Sequence, residues 1–124
     1  LSLGKERDEI NVVSDQIGSP TYATDLAEAI LTIVNNKDYQ NTEQSTEIYH
    51  YSNEGEISWY GFTKEIFKIA RVGCKVNPIT TYQYPTLAQR PKNTKMCQSA
   101  IAEIYSINFR DWNVSLNNFL TKIT

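Results

Sequence analysis

Asn11-Val12-Val13-Ser14-Asp15-Gln16-Ile17-Gly18-Ser19-Pro20-Thr21, running on into Ala23, Asp25, Leu26 and Ala27, is the stretch that decides the fold. Asn11 to Ser14 centres on a β-branched pair, which predicts a short strand. Asp15 to Thr21 reads as a turn, with Gly18 free to take unusual dihedrals and Pro20 disfavouring helix at Ser19. Ser19 or Thr21 is then placed to cap a helix. Ala23, Leu26, Ala27, Ile30, Ile33 and Val34 recur at three- and four-residue steps, an apolar stripe that predicts that helix and ends it at Asn35-Asn36-Lys37-Asp38.

Upstream, Leu1 to Ile10 is polar and charged. It starts on Leu and lacks the charged-then-apolar layout of a signal peptide, so the chain reads as cut from something longer. Downstream, a polar loop is expected to Glu47, and Ile48-Tyr49-His50-Tyr51 has the composition of a strand. Asn53 to Glu56 is a turn, and Ser58 is a good N-cap for a helix. That helix is expected to bury Trp59, Phe62, Ile66, Ile69 and Ala70, to expose Lys64, Lys68 and Arg71, and to end at Gly73. Val76 to Thr80 is expected as a short strand that Pro78 confines to an edge. Tyr82 to Lys95, with Pro85 and Pro91, is a long irregular loop of the kind that usually carries function. Two closing helices group Ala100, Ile101, Ile104 and Tyr105, then Trp112, Leu116, Phe119, Leu120 and Ile123. The reading is an α/β chain of about four helices and two or three short strands, a single domain over residues 1–124.

Composition narrows the function. With 124 residues, 40% hydrophobic and 21% charged, the chain has an ordinary globular make-up and room for one modest core. A net charge of -2 argues against a dedicated nucleic-acid binder, and no apolar run approaches the roughly 20 residues of a membrane span. Cys74 and Cys97 form no CxxC pattern, and with one His a Cys/His zinc site is not expected; two reduced, packed thiols are. No metal is expected.

Chemistry-bearing motifs are mostly missing. There is no GxGxxG or Walker glycine loop, no GxSxG elbow and no HExxH. His50 would have to serve any Ser/His/Asp triad, but it lies in the expected apolar strand. Tyr60 and Lys64 fit YxxxK, in which the Lys lowers the tyrosine pKa for carbonyl protonation. They fall in the first turns of an amphipathic helix, and the pair reads as structural. Two loops remain. Arg90, Lys92 and Lys95 form a basic cluster with no acid among them, and Pro91 stiffens the backbone beside Arg90, which suits a guanidinium binding phosphate. Asp15 to Thr21 offers a carboxylate, an amide, hydroxyls and a glycine between strand and helix, either facing a ligand or serving as a rigid turn.

Taken together, these residues form a recognisable pattern. Val12 to Thr21 with Ala23 and Asp25-Leu26-Ala27 closely resembles the VVxDQxGxPTxAxDLA signature of the dTDP-4-dehydrorhamnose reductase family, extended short-chain dehydrogenase/reductases. Ile48 to His50, Ser52 to Gly55 and Ser58 to Tyr60 resemble its next strand, turn and helix start; Arg90 to Thr94 is similar to its RPxxS segment; Trp112, Leu116 and Phe119-Leu120 match its closing helix. The departures are Thr94 for serine and Met96-Cys97 for a leucine and an acid.

The resemblance runs from about residue 10 to the end and covers the C-terminal substrate-binding part only. It implies that the glycine loop, the catalytic Tyr/Lys pair and the NADPH or NADH site belong to an N-terminal dinucleotide-binding half absent from this chain. No catalytic residue is therefore expected here, and the chain alone is expected to be inactive. The implied substrate-binding residues are Gln16, Gly18, Pro20, Arg90 and Asn93, with Arg90 directed at a pyrophosphate. The implied partners are a dTDP-linked sugar and the enzyme's own N-terminal half, in the cytoplasm, with no nucleic acid or membrane, and with a homodimer left open. The whole enzyme reduces dTDP-4-dehydro-L-rhamnose to dTDP-L-rhamnose. The alternative is a non-catalytic homologue like the regulatory subunit of methionine adenosyltransferase.

Overall fold

The computed structural model describes residues 1–36 and 46–123. Among these the order is α1 (Ser2–Glu6), β1 (Glu9–Val13), β2 (Ile17–Gly18), α2 (Ala23–Val34), β3 (Ile57–Ser58), α3 (Trp59–Ile69), β4 (Lys75–Ile79), a 3-10 turn (Thr81–Gln83), α4 (Ser99–Tyr105) and α5 (Trp112–Ile123). The α/β class holds, with one more helix than the sequence led us to expect. The loop expected between Asp38 and Glu47 falls largely on residues 37–45, outside the described residues.

β1 and β4 pair in parallel, Glu9 opposite Lys75 and Val13 opposite Ile79. A parallel pair needs a crossover, and α2 and α3 lie in the chain between the two strands. Pro78 sits opposite Val12 on β4, whose partner among the described strands is β1 alone, the edge position its missing N–H demands. A second, antiparallel pair joins Ile17 to Ser58 and Gly18 to Ile57.

The strand expected at Ile48–Tyr51 is not formed. The segment is extended but unpaired: Tyr49 packs edge-on against Tyr105 at 5.5 Å, Tyr51 against Phe109 at 5.5 Å, and the Ser52 N–H donates to Gln98 Oε1 at 2.8 Å. β propensity without a neighbouring edge makes no strand. His50 is accordingly exposed, on no strand. Helix α3 ends at Ile69, before Gly73, and Arg71, not a glycine, takes the left-handed conformation at φ 53°.

The apolar stripe of α2 is divided between two faces. Its inward face is Tyr22, Asp25, Leu26, Ala29 and Ile33, while Ala23, Ala27, Ile30, Leu31 and Val34 form a second apolar stripe turned to solvent. Asp25 faces inward because a polar hub needs its charge. Asn53 and Ser115, at 0% and 1% exposure, both donate to its carboxylate, Asn53 Nδ2 at 2.5 Å, and Arg110 donates from the rim. Asn53 Nδ2 also reaches Ser115 Oγ and the Arg110 carbonyl, each at 3.0 Å. Its Oδ1 accepts from the Tyr22 N–H at 2.7 Å, which seats the start of α2 in place of the expected Ser19 or Thr21 cap. The apolar core is small: Val13, Phe67, Ile101, Tyr105, Leu116 and Leu120 are its main members.

Candidate functional site

The two loops singled out in the sequence meet at Ile17. Its N–H donates to the Lys92 carbonyl at 2.8 Å, and the Thr94 N–H donates to its carbonyl at 3.0 Å, so the 92–94 segment runs beside β2 opposite β3. Gly18 is required by this approach and not by its dihedrals, which are ordinary: a Cβ there would lie 2.6 Å from Thr94 Oγ1.

Most polar groups of the 15–21 loop are committed to holding it. Asp15 Oδ1 accepts from both the N–H and the hydroxyl of Thr81, each at 2.8 Å, and Gln16 Nε2 donates to the same hydroxyl at 3.1 Å. Hydrogen bonding from the Thr81 side chain, with help from its N–H and the Lys92 charge, holds the Asp15 carboxyl below the usual aspartate range. Ser19 Oγ donates to the Gly55 carbonyl at 2.7 Å. Gly55 has φ +85°, and a Cβ there would lie 2.8 Å from the Trp112 ring, so this turn admits glycine and little else.

What the loop leaves open is a cavity of about 190 Å³, with Gln16, Gly18, Pro20, Trp59, Arg90 and Pro91 in its lining. A second chamber of about 440 Å³ is walled by Val12, Val13, Gln16, Trp59, Tyr84 and Arg90. Gln16, Trp59 and Arg90 line both and therefore stand between them. Four of the five residues expected at a ligand, Gln16, Gly18, Pro20 and Arg90, thus share one cavity wall. Asn93 stands apart. It bridges to Ile17, and its Oδ1 accepts from the Lys95 N–H at 2.8 Å.

The basic cluster is less uniform than its sequence implies, because acids arrive from elsewhere. Lys95 lies 3.9 Å from Glu56 in an exposed, weak pair, and Lys92 is close enough to Asp15 to act on its carboxyl. Arg90 has no ion-pair partner among the described residues, which leaves its guanidinium available to an anion.

Trp59 is the residue that pattern reading misplaced. Periodicity assigned it to the core, yet it is 59% exposed. Side chains lean toward a helix N-terminus, so an indole in the first turn of α3 overhangs the helix body and reaches the cavity. Phe62, one turn on, does pack inward, edge-on to Trp112 at 5.8 Å. The signal available was the Ser58 cap, which places Trp59 first in the helix; Ser58 Oγ accepts from the Gly61 N–H at 3.1 Å.

Elsewhere, Lys64 Nζ lies 5.4 Å from the centre of the Tyr60 ring on an exposed helix face, consistent with a structural pair. Cys74 is buried and free. Cys97 is free but exposed, against the expectation of a packed thiol, and its hydrogen bond with Ser99 lowers its pKa. Among the described residues no group of three His, Cys, Asp or Glu side chains is placed to hold a metal ion, and no helix is long and apolar enough to cross a membrane.

Comparison with known proteins finds relatives of the whole chain. A family model described as the RmlD substrate binding domain covers residues 1–124. A dTDP-4-dehydrorhamnose reductase of Aggregatibacter actinomycetemcomitans is 39% identical over 124 residues, 95% of this chain and 42% of the relative. Spore coat polysaccharide biosynthesis protein SpsK of Bacillus subtilis is 36% identical over 97% of this chain and 39% of its own length. The crystal structure of a dTDP-4-dehydrorhamnose reductase from Bacillus anthracis, in complex with NADP, superposes with a TM-score of 0.87 at 36% identity, covering 98% of this chain and 41% of that one. The chain spans about two-fifths of the length of these relatives.

Proposed function

The chain belongs to the RmlD substrate-binding domain family, and from that premise we propose that it is the part of a dTDP-4-dehydrorhamnose reductase that grips the sugar nucleotide. The observation that carries this reading is Arg90. It is an unpaired guanidinium on the wall where Gln16, Gly18 and Pro20 also converge. A planar fork of donors suits the two phosphates of a nucleoside diphosphate, and the rigid β2 ladder beside it keeps the donors in place.

The proposed whole enzyme reduces dTDP-4-dehydro-L-rhamnose to dTDP-L-rhamnose in the cytoplasm, with NADPH or NADH as the hydride source. This chain's residues do not fit a dinucleotide: Gly18 faces Thr94 and Gly55 faces Trp112, so neither opens a phosphate cradle. Its task is binding. Contacts to the non-reacting diphosphate supply free energy that positions the keto carbon against chemistry performed elsewhere in the enzyme. The chain alone turns over no substrate. The reductase names of its relatives favour this over a regulatory-subunit role.

Calorimetric titration with dTDP tests the reading. Hydrogen bonds to a charged group contribute about 1.5–3 kcal/mol, so Arg90→Ala is expected to weaken binding about 10- to 150-fold, with Arg90→Lys in between. Equal affinity of the Arg90→Ala and parent chains would refute it.

A further inference from the structure

We propose that the Trp59 indole is the stacking platform for the base of the bound nucleotide, with Tyr84 as the facing wall of the same chamber. The inference deepens the proposed function and rests on it. It starts from an unspent side chain. Trp59 is 59% exposed and Tyr84 58% exposed, and neither side chain has a hydrogen bond or ring partner among the described residues. Two large aromatic side chains on a small chain line one chamber of about 440 Å³, surface on which a flat ring can stack.

Position decides which flat ring. Trp59 and Arg90 line both chambers, so a ligand that lays a planar group on the indole meets the guanidinium at the same partition. A nucleoside diphosphate has this layout, with its base and its diphosphate held apart by one furanose. The rest of the chamber wall suits a base: Val12 and Val13 supply apolar surface for its face, and Asn11, Gln16 and Thr86 supply hydrogen-bonding groups for its edge. An internal hydrophobic peptide side chain would use the aromatic surface but not Arg90.

The platform is also held in place before the ligand arrives. Ser58 caps α3 through the Gly61 N–H, β3 is paired with β2, and Thr63 Oγ1 donates to the Trp59 carbonyl at 2.9 Å. Little backbone freedom then remains to be lost on binding.

The test compares dTDP with inorganic pyrophosphate on the 124-residue chain and its variants, by calorimetry and tryptophan fluorescence. Stacking on one aromatic side chain corresponds to about a 5- to 150-fold change in affinity. Trp59→Ala should weaken dTDP by that factor and leave pyrophosphate unchanged, whereas Trp59→Phe should retain most dTDP affinity. Saturating dTDP should quench the parent's fluorescence but not that of Trp59→Phe, in which Trp112 alone reports. The exposed position keeps these variants folded, checked by an unchanged unfolding midpoint. If dTDP binds Trp59→Ala as tightly as the parent while Arg90→Ala is impaired, the platform is wrong and the site reading stands. If neither dTDP nor pyrophosphate binds the parent chain, the site reading falls and takes the platform with it.

Discussion

Replacing Asp25 by alanine removes the acceptor at the centre of the polar hub. In the folded chain this carboxylate, 4% exposed, takes hydrogen bonds from Asn53, Ser115 and Arg110. The three donors are affected unequally. Asn53 Nδ2 keeps the Arg110 carbonyl and Ser115 Oγ, and Arg110, with its side chain 43% exposed, turns to water and to Glu28, 3.9 Å away. Ser115, 1% exposed, loses the acceptor for its own hydroxyl proton. Three hydrogen bonds to a charge at about 1.5–3 kcal/mol each set an upper bound, and the rehydration of Arg110 lowers it. The expected loss is about 3–5 kcal/mol, from the two buried hydrogen bonds to a charge that Asn53 and Ser115 give up. At about 4 °C per kcal/mol, that lowers Tm by about 12–20 °C. Urea unfolding of the parent, Asp25→Ala and Arg110→Ala gives the comparison. Arg110→Ala leaves the buried carboxylate with its Asn53 and Ser115 hydrogen bonds but no counter-charge, and is expected to cost a comparable amount, about 3–5 kcal/mol, the range for an unpaired buried charge. The reasoning fails if either variant lies within about 1 kcal/mol of the parent. Because Asn53 also seats the Tyr22 N–H, the damage should reach the 15–21 loop, seen as faster amide exchange there.

The loop geometry carries two further expected outcomes. Gly18→Ala drives a methyl into Thr94 and is expected to cost about 1–3 kcal/mol; Thr94→Ala in the same chain should recover most of it, and the four-member unfolding cycle would refute this if the two effects simply add. Hydrogen bonding to Thr81 depresses the Asp15 pKa in the folded chain, so its stabilisation is complete above the unfolded aspartate value, about pH 4, and is lost as the pH falls through the lower folded value. Thr81→Val should flatten this acid limb of a stability-against-pH curve, and an unchanged limb would contradict the assignment.

Much of the architecture was legible because its signals are local. The strand near Val12-Val13, the helix after Pro20, the Ser58 cap and the two closing helices all appear close to where periodicity and capping place them. What escaped is non-local. Nothing in Asp25 marks it as inward-facing; only Asn53, Arg110 and Ser115 converging on it does, and they come from three later parts of the chain. The apolar stripe of α2 is split for the same reason, with Leu26 and Ile33 turned inward beside Asp25 and Ala23, Ala27, Ile30 and Val34 exposed. Ile48 to Tyr51 had strand composition but no edge to join. At the candidate site, Arg90 was singled out by its charge context and by family resemblance. The physical link between the loops, a backbone ladder through Ile17, has no side-chain signature at all. Trp59 was missed because helical periodicity does not distinguish a first-turn residue that overhangs from one that packs.

The central claim is that the 15–21 and 90–95 loops form one nucleotide-diphosphate site already present in this chain. Backbone amide shift mapping during a dTDP titration of the 124-residue chain tests it most directly. Shifts concentrated at Gln16 to Thr21 and Arg90 to Lys95, moving together with one affinity, are the predicted result. No shifts at millimolar dTDP, or shifts confined to surfaces away from both loops, would contradict it.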